Sequence, residues 1–205
     1  MLDFERSVDD EERLRALLNH RSLRWLRITD PIYLKTVDST QLFVANTMQS
    51  SREGDLVLSR VQTFGKGREN RIWFSQNGGL WLTLTLVPPD AEILAKVPLI
   101  STTAILKTLV KLGLADCAVK PPNDVYCSGK KIAGVLADAS VNGSKSVVYL
   151  GIGINVNNDP SQIGEISTIA TSAKLETGRT FDLIDFAASL IENLDSEYSS
   201  AIGAA

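Results

Sequence analysis

The chain reads as an α+β domain, α/β layered, in which a mostly antiparallel or mixed sheet carries helices over one face. Three observations predict it. The run Leu80–Val87, LWLTLTLV, alternates at the period of a strand. Asn142-Gly143, between Val141 and Lys145, is the strongest hairpin signal and joins the apolar run Ile132–Leu136 to Val147–Ile154 as antiparallel neighbours. Leu99, Thr103, Leu106, Leu109 and Val110, and later Ile184, Ala187, Ala188, Ile191 and Leu194, recur at helical spacing and offer faces to lay on that sheet.

In chain order, Asp9–Leu18 places acidic residues in a first helical turn and Leu14, Leu17 and Leu18 on one face, which predicts a short amphipathic helix. Arg24–Ile28 and Tyr33–Val37 predict two short strands around the Asp30-Pro31 turn. The hydroxyl-rich Asp38-Ser39-Thr40-Gln41 predicts the start of a helix through Leu42, Ala45 and Met48. Leu56–Val61 predicts a strand that enters a glycine- and arginine-rich loop, anchored at its ends and free in its middle. Pro98 fits the first turn of a helix that runs to Gly113. Pro121 and Pro122 oppose ladder pairing, so the chain there is expected extended but unpaired, and Ser128-Gly129 predicts a turn. Glycines 151 and 153 inside a strand predict close approach by another group. Ser167–Thr177, closed by Gly178, and Leu183–Tyr198, opened by Asp182, predict two further helices. Residues 1–30 read as an N-terminal extension and 31–205 as the main domain.

Bulk properties narrow the function. A net charge of −3 opposes a general nucleic-acid or membrane-surface binder, which needs cations in excess over a whole face. The acidic start, Met1–Glu12, is not expected to be a targeting sequence, and no stretch is expected to be long and apolar enough to span a bilayer, so a cytoplasmic protein is expected. Two cysteines, Cys117 and Cys127, and one histidine, His20, make neither a disulfide framework nor a protein-only zinc site, and both thiols are expected reduced.

The chemistry concentrates in two stretches. Gln62–Trp81 combines Lys66, Arg68 and Arg71 with Gly65, Gly67, Gly78 and Gly79 and with Trp73 and Trp81. Backbone that approaches closely, cations that fork onto phosphate and an aromatic stacking plane are parts of a nucleotide-handling loop. Lys120–Asp138 adds Asp124 and Lys131, the latter at the mouth of an apolar strand where its charge requires a partner. Cations converging on a polyanion, with no histidine to serve as base, favour phosphoryl or nucleotidyl chemistry. The P-loop and dinucleotide fingerprints are both absent.

These stretches resemble the signatures of the biotin protein ligase family. QTFGKGRENRIWFSQNGGLWLTLTL is similar to its biotin-binding signature, KPPNDVYCSGKKIAGVLAD to its second, GIGINVN to its third and VDSTQ to its Asp-Ser-Thr-Asn motif. The resemblance implies the catalytic domain, with a fold like class II aminoacyl-tRNA synthetases and biotin synthetases. It implies biotin and ATP as substrates with Mg2+, transfer of biotin to a lysine of a biotin carboxyl carrier domain, and no DNA partner. By resemblance, Lys131, Arg68, Arg71 and Asp124 are catalytic. Ser39, Thr40, Gln41, Gln62, Lys66, Gly67, Arg68, Trp81, Lys131 and Gly134 hold biotin, and Arg68, Arg71, Trp73, Asn123, Lys131 and Asn155 hold ATP or the adenylate; no protein metal site is implied. Pro121 stands where the family has Trp, Gln41 where it has Asn and Lys66 where it has Arg. The family's DNA-binding domain and C-terminal β-barrel have no counterpart in these residues. The arrangements left open are a homodimer joined at the strand edge after Val147, a separate chain supplying the barrel, a non-catalytic binding subunit of a two-chain ligase, and a lipoate or octanoate ligase.

Overall fold

The structure is a computed structural model that describes residues 4–47, 52–142 and 145–203. Its strands are β1 (Ile32–Val37), β2 (Leu56–Gln62), β3 (Leu80–Leu86), β4 (Cys117–Lys120), β5 (Asp124–Cys127), β6 (Lys130–Asn142) and β7 (Lys145–Ile154). They form one seven-stranded sheet in the order β1-β2-β3-β7-β6-β5-β4. The β1–β2 pair is parallel and the remaining neighbours are antiparallel. The helices are α1 (Val8–Asn19), α2 (Thr40–Thr47), α3 (Ala91–Lys111), α4 (Ala173–Thr177) and α5 (Leu183–Gly203).

Side-chain alternation divides the sheet into two unlike faces. Leu80, Leu82, Leu84 and Leu86 of β3 join α1, α3 and α5 in the main core, so the long helices cover one face as expected. Trp81, Thr83 and Thr85 alternate with them and are equally buried. The short α2 lies over that second face, where Val44 packs with Leu34, Val37 and Val57. In β3 the alternation therefore sorts residues between two layers rather than between core and water.

Several expectations change. Arg24–Ile28 is not a strand: the Asp195 carboxylate accepts the N–H groups of Arg24, Trp25 and Leu26 at 2.6, 2.8 and 2.6 Å, supplying the acceptors that a ladder would have. Helix α3 begins seven residues before Pro98, because Asp90 caps it by accepting from Ile93 N–H at 2.8 Å, and Pro98 sits inside it. This helix is long and apolar enough to cross a membrane by length and composition, which the sequence reading did not expect; half of that stretch is buried, against α5 and the sheet. The prolines are outside the ladder as expected, but they turn the chain between β4 and β5 rather than extend it. That hairpin sets Cys117 directly opposite Cys127 and the two form a disulfide, against the expectation of free thiols. Of Ser167–Thr177 only α4 is helical, capped by the Ser172 hydroxyl. From Val148 to Ile154, β7 is paired with β3 on one side and β6 on the other, whereas Lys145–Val147 is paired with β6 alone. The β6–β7 hairpin is present through the pair Asn142↔Lys145, while Gly143 of its turn and Met48 of the predicted helix lie outside the described residues.

Candidate active site

Glycines strip the second face of the sheet bare in its middle. Gly134 of β6 pairs with Gly153 of β7, and Leu136 pairs with Gly151. A methyl group on Gly153 would stand 2.5 Å from Trp73 Nε1, one on Gly134 3.1 Å from Trp73 Cζ3, and one on Gly151 2.8 Å from Gln41 Cδ. The missing side chains thus let an indole and an amide lie against the strands. Above this floor opens a cavity of about 420 Å³, a volume suited to a small ligand.

The loop after β2 forms one wall. Its middle is bridged by backbone hydrogen bonds: Trp73 N–H donates to Gly65 O at 2.7 Å, Lys66 bridges Ile72, and Gly67 N–H donates to Arg71 O at 2.8 Å. A 3-10 turn at Arg68–Asn70, with Glu69 in the left-handed region at φ 58°, reverses the chain and presents both arginines. Arg68 Nη1 donates to Asn123 Oδ1 at 2.9 Å. Asn123 is itself fixed to β6, donating from Nδ2 to Val135 O at 2.8 Å and accepting Val135 N–H on its backbone oxygen at 2.8 Å. Arg71 bonds back to Arg68 O and to Glu69, and its side chain is 70% exposed, so it is free to turn toward an anion.

Lys131 enters from the opposite side. Its backbone is held by Ile169 O and Thr171 N–H, each at 2.9 Å, which fixes where the strand begins. Its ammonium lies 2.6 Å from Asp124 Oδ1 and 5.1 Å from the Trp73 ring centroid. The carboxylate is the partner that a cation at a strand mouth requires. The contact is close without being a well-directed hydrogen bond, leaving the ammonium able to exchange Asp124 for a ligand oxygen.

The other end of the cavity is neutral and polar. Gln41, which lines the cavity, donates from Nε2 to Leu136 O at 3.1 Å and Tyr149 O at 3.0 Å, bridging β6 and β7. Thr40 and Gln62 are hydrogen-bonded to each other, and Ser39 is buried beside them. The cavity therefore gathers Ser39, Thr40, Gln41 and Gln62 at one end, Lys66, Gly67, Arg68, Arg71 and Asn123 along the loop side, and Asp124, Lys131, Trp73, Gly134 and Asn155 around its centre. Trp81 is the exception. It is fully buried, donates to Gln76 O at 3.0 Å and meets Trp73 edge-on at 6.5 Å, so it backs Trp73 rather than lining the cavity. Asn155 reaches the cavity with its amide already engaged, donating to Thr171 O at 3.0 Å and accepting from Asn158 at 2.9 Å; one N–H is left for a ligand. Lys120, Tyr126 and Ile169 also line the site and escaped the sequence reading. The β4–β5 register brings Lys120 and Tyr126 there, with the sequence signal for β4 hidden by the prolines that follow it, and the Lys131 N–H bond to Ile169 O brings Ile169.

A model of the biotin/lipoate A/B protein ligase family matches residues 33–155, which spans all of these elements except the N-terminal segment and the last two helices. The chain belongs to that family. It is 35% identical over 156 residues to the bifunctional ligase/repressor BirA of Bacillus subtilis, covering 74% of this chain and 48% of that protein. It is 31% identical over 155 residues to biotin–protein ligase 2 of Arabidopsis thaliana, covering 71% of this chain and 45% of that protein. Among solved structures it resembles the biotin protein ligase of Aquifex aeolicus in complex with biotin and ATP, with TM-score 0.73 and 32% identity over 83% of this chain and 70% of that one. The chain thus spans about half the length of the curated relatives it matches.

Proposed function

We propose that this chain condenses biotin with ATP to biotinyl-adenylate and pyrophosphate, and passes biotin to a lysine of a biotin carboxyl carrier domain. The observation that carries the proposal is the position of Lys131, on a clamped strand mouth between a neutral amide-and-hydroxyl pocket and an arginine loop. A ureido ring, with two N–H donors and one carbonyl acceptor, suits Ser39, Gln41 and Gln62. The acid's carboxylate then extends toward Lys131. For a carboxylate oxygen to attack the α-phosphate two anions must meet, and a cation between them lowers that barrier. The new bond is carboxylate oxygen to phosphorus; the bond to pyrophosphate breaks, and Arg68 and Arg71 hold the departing charge. Magnesium enters with ATP, on its phosphates. Trp73 offers a plane for adenine and Asn155 its remaining N–H.

In the second step the carrier amine attacks the acyl carbon, AMP leaves, and the amine sheds a proton. Asp124 is the carboxylate nearest to Lys131 and is assigned to orient it or to take that proton. The proposal includes a cytoplasmic location, where ATP and carrier proteins meet.

The test is incubation with biotin, α-labelled ATP and magnesium, with lipoate and octanoate as competing acids. Biotinyl-adenylate is the expected product. A preference for lipoate or octanoate would replace the acid, and no adenylate from any of the three would leave a binding subunit as the better reading.

A further inference from the structure

Gln62 has its amide orientation imposed from both ends. Its Oε1 accepts from Thr40 N–H at 2.8 Å and from Thr40 Oγ1 at 3.1 Å, and its Nε2 donates to Ser75 Oγ at 2.8 Å. Ser75, 4% exposed, donates its own hydroxyl proton to Trp73 O at 3.1 Å. Thr83 Oγ1 donates to Thr40 Oγ1 at 2.8 Å. The proton order is therefore fixed along the chain: Thr83 to Thr40 to Gln62, and Gln62 to Ser75 to the Trp73 carbonyl. Having given its proton to a carbonyl, Ser75 has only lone pairs to offer, so it can face only the N–H end of the amide. One Nε2 hydrogen is consumed there and the second remains for the cavity that Gln62 lines.

We infer that Ser75 is a positioning residue for acid recognition: it sets Gln62 to offer a donor, and so to read an acceptor oxygen on the bound acid, and ties that setting to the backbone of Trp73. The inference rests on the biotin reading above, in which that acceptor is the ureido carbonyl. Ser75 is not among the residues that line the cavity, and none of the matched motif roles falls on it. Removing its oxygen leaves Thr40 holding the other end of the amide, so the loss is partial, about 5- to 30-fold in apparent affinity.

The test compares wild type, Ser75→Ala, Gln62→Ala and the double variant for KM of biotin, KM of ATP and kcat, with calorimetric binding of biotin and of 2-iminobiotin, in which the carbonyl oxygen is replaced by an imine. Ser75→Ala is expected to raise the biotin KM and Kd by about 5- to 30-fold with kcat and ATP KM little changed. It should narrow the preference for biotin over 2-iminobiotin, and it should add nothing in the Gln62→Ala background, because it acts through Gln62. Should Ser75→Ala lose its folded thermal transition, Ser75→Cys keeps the volume with a weaker acceptor and is expected to give an intermediate biotin Kd. A wild-type Kd for Ser75→Ala or Ser75→Cys, additive effects in the double variant, or an equal fall in kcat would overturn the inference. Wild type that binds no biotin at all would instead sink the biotin reading itself.

Discussion

Gly153→Ala is the substitution whose effect the structure sets most directly. The added methyl would sit 2.5 Å from Trp73 Nε1 and 2.7 Å from Cε2. Carbon contacts settle near 3.5–4.0 Å, so the indole must retreat by about 1 Å. Its backbone cannot follow, since Trp73 N–H is bonded to Gly65 O at 2.7 Å, and Trp81 stands behind the ring. The free direction is into the cavity. The strain of an extra methyl in a packed site, about 1–3 kcal/mol, then falls on the ligand-binding surface and corresponds to about 5- to 150-fold weaker binding. The assay is calorimetric binding of biotin and ATP, alongside thermal unfolding and tryptophan fluorescence. Expected are a shifted fluorescence spectrum, a fall in affinity within that range and a folded protein. Gly164→Ala, with open space around its methyl, serves as the control and should match wild type. A folded Gly153→Ala that binds both ligands as wild type does would refute the placement of Trp73 on the glycine pair.

Two further predictions concern the far side of the molecule. Asp195 is 3% exposed and accepts three backbone N–H bonds, so Asp195→Ala orphans three donors and should lower stability by about 3 kcal/mol or more; a urea unfolding shift below about 1 kcal/mol would contradict it. Burial pushes the Glu53 carboxyl up, against a hydrogen bond from Val87 N–H at 2.6 Å and one from Trp25, with Tyr198 also nearby. A carboxyl raised in the folded state stabilises it fully below the unfolded value and loses that contribution as pH rises through the folded value. Glu53→Gln keeps an acceptor for Val87 without the charge, so the Tm of wild type should fall relative to the variant as pH rises above the ordinary glutamate value of about 4.3. Parallel Tm curves would rule this out.

How far the sequence discloses this molecule depends on whether the governing contact is local. Period-two runs and the β6–β7 hairpin are local, and they appear as expected. So does the Asp182 cap, which accepts from Ile184 and Asp185 N–H at 2.9 and 3.0 Å. Glycines in β7 foretold close approach, and Trp73 and Gln41 are what approaches. Partners distant in sequence were not legible. Nothing near Arg24–Ile28 announces that Asp195, some 170 residues on, will take its N–H groups. Nothing near Cys117 announces its register with Cys127, because prolines concealed the hairpin. Trp81 looked like a ligand wall because it neighbours the motif; the face it occupies is the ligand face, but Trp73 lies in front of it. Ser75 and Thr83 carry no signal in the sequence because a lone hydroxyl has no meaning until its donor and acceptor are known.

The central claim is that one glycine-floored cavity brings an acid and a nucleotide together across Lys131. Biotin-dependent exchange of labelled pyrophosphate into ATP measures that step directly, compared between wild type and Lys131→Ala, with biotin binding followed in parallel. The account predicts exchange in wild type that requires biotin, and exchange abolished in Lys131→Ala while biotin affinity stays within a modest factor. Exchange that persists in Lys131→Ala, or biotin binding lost as severely as the rate, would contradict it.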